Sequence, residues 1–169
     1  RLIRQGHRVA ICDQTEDPAE AKKRGSKAVV RREIVRVVTP GTLTEDSLLD
    51  ARGANRLVAV TLRSGRAAVA AVELSSGRVE TAVCDAGDLA STLVAFSPSE
   101  ILVPDRLFGD ADLDQALATA DAPVQPLAQA LAEPRAAAER VARLYGVATL
   151  DAFGAFEPVE ISALGLVAA

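Results

Sequence analysis

The chain has 169 residues, 49% of them apolar but only 3% aromatic, with no Trp or Met. That content fits one to one and a half packed domains with a core of Val, Leu, Ile and Ala, and points to a packed globular chain rather than a disordered one. The net charge of −4 conceals a division: residues 1–40 carry ten Lys/Arg against five Asp/Glu, whereas residues 41–169 carry nine against eighteen, so the two parts are expected to face different partners.

Residues 1–5 read as the last turn of a helix closed by Gly6, and Arg8 to Gln14 as a strand. Asp17 as N-cap, Pro18 at the first helical position and Glu20 three residues after the cap start a short helix. It ends near Gly25, with Lys22, Lys23 and Arg24 where the helix dipole favours cations. Val29 to Thr39 is rich in Val and Ile and predicts a strand, stopped by Pro40-Gly41. Ile34, Val35, Val37 and Val38 put apolar groups on both faces, so its end is expected to be buried on both sides. Thr42 and Glu45 form a capping-box pattern that predicts a helix through about Ala51.

From Asn55 the pattern changes. Leu57–Leu62, Ala67–Leu74 and Arg78–Cys84 are strands joined by Ser64-Gly65 and Ser75-Ser76-Gly77, an antiparallel meander. A helix over Asp88–Phe96, a strand over Glu100–Val103 ended by Pro104, a weak helix near Ala111–Ala120, and a short strand near Val124 follow. Helices over Pro134–Tyr145 and Val159–Ala169 close the chain. Strands first, then alternating strand and helix, predict an α/β fold in which helices cover a mixed sheet.

Several chemistries lack their residues. No phosphate-binding or dinucleotide-binding glycine loop occurs, and His7 is the one histidine, which leaves a nucleophilic triad and a zinc site without ligands. Cys12 and Cys84 stand apart in apolar runs and read as buried free thiols of a reducing cytosol. No apolar run has membrane-spanning length and no signal peptide is visible. The start at Arg1, inside a helical pattern, reads as part of a longer protein.

Two readings with chemistry remain. A meander followed by alternating helix and strand is the order of an RNase H-like sheet, whose nucleases hold metal between carboxylates. Glu73 and Asp105 are the acidic candidates, but the first strand, Arg56–Leu62, carries no carboxylate. The other reading is a phosphate-backbone contact by the basic cluster Lys22, Lys23, Arg24, Lys27, Arg31, Arg32 and Arg36. No aromatics are interleaved with it, so base stacking is not expected there. A solvated, idle basic face is the third reading.

Three runs, Val9-Ala10-Ile11-Cys12-Asp13-Gln14, Glu16-Asp17-Pro18 and Val30 through Thr42 (Val-Arg-Arg-Glu-Ile-Val-Arg-Val-Val-Thr-Pro-Gly-Thr), closely resemble the MutS family of DNA mismatch repair proteins. In that family this stretch ends the mismatch-binding domain. Asn55 onward, with Glu73-Leu74-Ser75-Ser76-Gly77, resembles the connector domain, which is RNase H-like without nuclease activity. The resemblance therefore implies an incomplete small α/β mismatch-binding domain over 1–41, a linker helix over 42–54 and a connector over 55–169 whose carboxyl end reads as truncated. The family's Phe-x-Glu motif would lie upstream of Arg1, and the ATPase, lever and clamp domains downstream. No cofactor or metal is expected in this stretch, with ATP and Mg belonging to the full-length protein.

The resemblance also implies a non-catalytic role. The stretch would support binding of mismatched double-stranded DNA and couple it to the ATPase core and to MutL, within a homodimeric cytoplasmic protein. Arg32 falls where the family has a basic residue close to the DNA backbone, and charge adds Lys27 and Arg31. For MutL, the helix Pro134–Tyr145 offers Arg135, Glu139, Arg140 and Arg143 opposite an apolar stripe of Ala137, Val141, Leu144 and Tyr145. Glu139 and Arg143 are also spaced to pair with each other.

Overall fold

The computed structural model describes residues 2–25, 27–43 and 55–169, and the chain divides into two units, Arg1–Pro40 and Gly41–Ala169.

In the first unit a short 3-10 turn, Ile3–Gln5, is closed by Gly6 at φ 82°, which returns its N–H to the Ile3 carbonyl. β1 (Val9–Gln14) leads to α1 (Pro18–Lys23). The α1 cap forms as expected: the Asp17 side chain accepts the Ala19 N–H at 2.7 Å, and Pro18 costs nothing at a position whose N–H has no helical partner. β2 (Arg32–Val38) returns antiparallel to β1. Its register runs Ile11 to Arg36 and then Cys12 to Ile34, so Val35 is an extra residue, a β-bulge. The bulge accounts for the broken alternation. The expectation of burial on both faces is corrected: Ile34, Val35 and Val37 are 64%, 53% and 44% exposed, and Val38 alone of the four is buried. A two-stranded ribbon has too little surface to cover both of its faces. Cys12, on this ribbon, is exposed rather than buried, and Cys84 is half-buried.

A 3-10 turn, Pro40–Thr42, follows β2. The helix predicted from Thr42 to Ala51 falls from residue 44 onward outside the described residues.

The second unit is built on β3 (Arg56–Arg63), β4 (Arg66–Glu73) and β5 (Arg78–Asp85), the predicted meander. Ser64 and Gly65, both with positive φ, make the two-residue turn whose twist suits adjacent strands. α2 (Leu89–Phe96), β6 (Glu100–Pro104), α3 (Ala111–Ala118), β7 (Val124–Leu127), α4 (Pro134–Tyr145) and α5 (Pro158–Val167) complete it. β6 stops at Pro104 as expected, with Pro104 itself its last residue, level with Leu127. This sheet runs β5-β4-β3-β6-β7, antiparallel through the meander and parallel from β3 to β6 to β7.

Alternation along the strands divides the core. Val58, Val60, Val69, Ile101 and Val103 meet Leu89 and Leu93 of α2 and Leu113 and Leu117 of α3. Ala68 and Ala70 meet Val141 of α4 and Ala163 and Leu164 of α5, while Leu57, Ala59 and Leu102 meet Leu166. Helices therefore cover both faces. On the α4–α5 side small residues permit close approach: a Cβ on Gly165 would lie 2.3 Å from the Ala137 Cβ, a separation no packed core tolerates.

Candidate functional site

The basic cluster is organised by one carboxylate that sequence reasoning passed over. Glu16 accepts the Arg31 backbone N–H at 2.9 Å and bonds the Arg24 guanidinium, and Thr15 N–H donates to the Arg31 carbonyl at 3.1 Å. Arg24 also donates to the Val29 carbonyl at 3.3 Å. Glu16 thus ties the end of α1 to the start of β2. The Arg31 N–H above all holds its carboxyl below the usual glutamate range; desolvation opposes this, and the hydrogen bond and charge of Arg24 and the charge of Arg31 add to the lowering. The signal for this was Glu16 beside the Asp17-Pro18 cap, facing a cation run eight to fifteen residues on.

That arrangement sorts the cations. Lys23 pairs with Glu20 and Arg24 with Glu16. Lys27, Arg31 and Arg32 are exposed, and their side chains form no ion pair among the described residues. Arg32 is the first residue of β2, opposite Gln14. Lys27 and Arg31 belong to the connection that Glu16 holds. On this stapled loop and strand start Lys27 and Arg32 can meet an anion without first giving up a partner, while Arg31 already acts on Glu16 through its charge, and the positive density of the three favours phosphate binding.

On α4 the predicted residues separate. Arg135 and Glu139 pair at 3.3 Å, so Glu139 reaches back one turn rather than forward to Arg143. Both are exposed, as is Arg143. Arg140, expected to point away from the core, instead turns inward and donates to the carbonyls of Leu131 at 3.1 Å and Gly165 at 2.6 Å. The close approach at Gly165 brings that carbonyl within reach, and a guanidinium has enough donors to serve two acceptors. The apolar stripe also differs. Ala137, Val141 and Ala142 are buried, but Leu144 is 68% exposed and Tyr145 packs on Phe153 at 5.2 Å between ring centroids. Leu144 and Tyr145, the last two residues of α4, therefore stand clear of the core. Tyr145, Phe153 and Phe156 line a shallow groove of about 190 Å³ with Val79 of β5, gathering most of the chain's few aromatics.

The carboxylates do not assemble a metal centre. Glu73 lies opposite Arg56 at the start of β3, and its side chain accepts the Ser76 hydroxyl at 2.8 Å. Asp105 follows β6 at the other end of the sheet and accepts the Gln129 N–H at 3.1 Å. The register puts them roughly 20 Å apart along the strands, at about 3.3 Å per residue. No group of three or more His, Cys, Asp or Glu residues that could hold a metal occurs among the described residues. The nuclease alternative has no support in this arrangement. No described helix is long and apolar enough to cross a membrane.

The family model for MutS domain II matches residues 55–169, and that for MutS domain I matches residues 1–47. The chain belongs to the MutS family. It is 64% identical over 169 residues to a DNA mismatch repair protein MutS of Caulobacter vibrioides and 61% identical over the same length to that of Caulobacter sp. strain K31. It is 48% identical over 166 residues to that of Dinoroseobacter shibae, covering 98% of this chain. The chain spans 19% of the length of the two Caulobacter relatives. Their shared part is thus the stretch that bears the stapled cations and the helix-covered sheet.

Proposed function

We propose that this stretch of a MutS protein supports mismatched-DNA binding through its first unit and relays the bound state through its second to the ATPase core and to MutL. The observation that carries the reading is the set of three exposed cations, Lys27, Arg31 and Arg32, whose side chains make no salt bridge among the described residues of the domain I match. They serve as backbone contacts: they position duplex DNA and carry no base readout. The second unit is a connector of RNase H-like kind, a reading supported by its strand order and parallel addition of β6 and β7 to the meander. In this reading the connector is non-catalytic, and the placement of Glu73 and Asp105 at opposite ends of the sheet speaks against a nuclease. ATP and Mg act elsewhere in the full-length protein.

For MutL, the exposed side chains of α4 supply the docking face: Arg135, Glu139 and Arg143. Arg140 contributes only by holding α4 against α5. The buried face of α4 keeps that surface rigid, so a partner need not order it on binding.

Charge reversal tests the DNA role. Lys27→Glu, Arg31→Glu and Arg32→Glu together in the full-length protein are expected to weaken duplex binding at low salt. The salt dependence of log K should flatten by roughly one unit for each phosphate no longer neutralised, with the melting temperature nearly unchanged. Unaltered affinity and salt slope would remove the proposal.

A further inference from the structure

One buried acidic residue is used by none of these roles. Glu100, the first residue of β6, is 2% exposed. Its Oε2 accepts the Gly41 N–H at 2.9 Å, and its Oε1 accepts the Gln125 side-chain amide from β7. Gly41 is pressed against the sheet beside it: a Cβ there would lie 2.8 Å from the Glu100 Cβ and 2.9 Å from Leu57 Cδ1. The glycine is therefore required by contact rather than by its backbone angles. Leu43 is buried as well, and its carbonyl accepts the Asn55 side-chain amide at 3.1 Å.

These bonds place both flanks of residues 44–54 on the second unit and tie the flanks to each other. We infer that Glu100 is a positioning residue that fixes the point at which the chain enters the connector. The connector then begins at Gly41, and any movement of the first unit hinges on the amino-terminal side of Gly41 rather than within 44–54. An apolar side chain at position 100 could fill the volume but would leave the Gly41 N–H and the Gln125 amide without acceptors, a buried deficit that releases the turn. The inference deepens the coupling role proposed above and rests on it for its purpose, since a relay needs a fixed attachment at each end.

The test uses full-length protein without DNA, with native reactive cysteines replaced and nitroxide labels at Val29→Cys and Asp112→Cys. A Gly-Gly insertion between Thr39 and Pro40 is expected to broaden the label–label distance distribution. The same insertion between Ser47 and Leu48 is expected to leave it unchanged. Glu100→Ala should broaden it too, and should speed hydrogen exchange of the segment containing Gly41 by about tenfold or more, whereas Glu100→Gln, which keeps an acceptor, should retain protection. Equal broadening by both insertions would overturn the inference, as would native protection and an unchanged distribution in a folded Glu100→Ala protein. If Glu100→Ala does not fold, the two insertions decide the matter alone, because they leave the sheet untouched. None of these readouts depends on DNA or MutL binding, so their failure is distinct from failure of the proposed function.

Discussion

β2 and β3 are both rich in branched apolar residues, yet they end in opposite environments. From Leu57 to Thr61 every residue of β3 is buried, because α2 and α3 cover one face of its sheet and α4 and α5 the other. β2 leaves Ile34, Val35 and Val37 exposed on a two-stranded ribbon. An apolar strand sequence permits burial, and the layers packed on it decide whether burial occurs. The same contrast holds for charge. The carboxyl of Glu100 is enclosed and holds the Gly41 turn, whereas Lys27, Arg31 and Arg32 of the first unit stand on the surface without a salt bridge among the described residues.

Graded substitutions sharpen that contrast. The largest loss is expected from Leu93→Ala, which empties a fully enclosed site between α2 and the sheet. Urea unfolding of the chain should show the second unit destabilised by about 2–5 kcal/mol. Gly165→Ala should cost about 1–3 kcal/mol by overpacking, since the new methyl meets Ala137. Its signature would be loss of exchange protection in α4 and α5 with α2 unaffected. Ile34→Ala removes as much side chain as Leu93→Ala but should change stability by no more than about 0.5 kcal/mol. A cost near that of Leu93→Ala would show that β2 is covered after all.

The smallest effect concerns acid. The carboxyl of Glu16 titrates below its ordinary value of 4.5 in the folded unit. A depressed folded value means that its contribution is present at higher pH and is lost as pH falls through the folded value. NMR titration should place its midpoint below that of a free glutamate, and the amide of Arg31 should lose protection over the same range. Glu16→Gln should abolish that pH dependence.

Much of the fold was legible because its signals are local. The Asp17-Pro18 cap and the Ser64-Gly65 turn each act within a few residues, and both formed as expected. What escaped depends on partners distant in sequence. The bulge at Val35 is set by register with Cys12, and the inward turn of Arg140 follows from the absence of a side chain at Gly165. Of the candidate site, the cluster could be read from charge density, but not which cations are already paired. Glu16 and Glu20 decide that, and only the folded loop brings Glu16 to Arg31. On α4, helical spacing offers Glu139 a basic partner on either side, and it took Arg135.

The central claim is a division of labour: the first unit meets DNA and the α4 face of the second meets MutL. Two full-length variants, each assayed for both ligands, test it most directly. One reverses Lys27, Arg31 and Arg32; the other reverses Arg135 and Arg143. The account predicts that the first loses low-salt duplex affinity and keeps MutL binding, and that the second does the opposite. Equal loss of both ligands in either variant, or loss of DNA binding on reversing α4 alone, would contradict it.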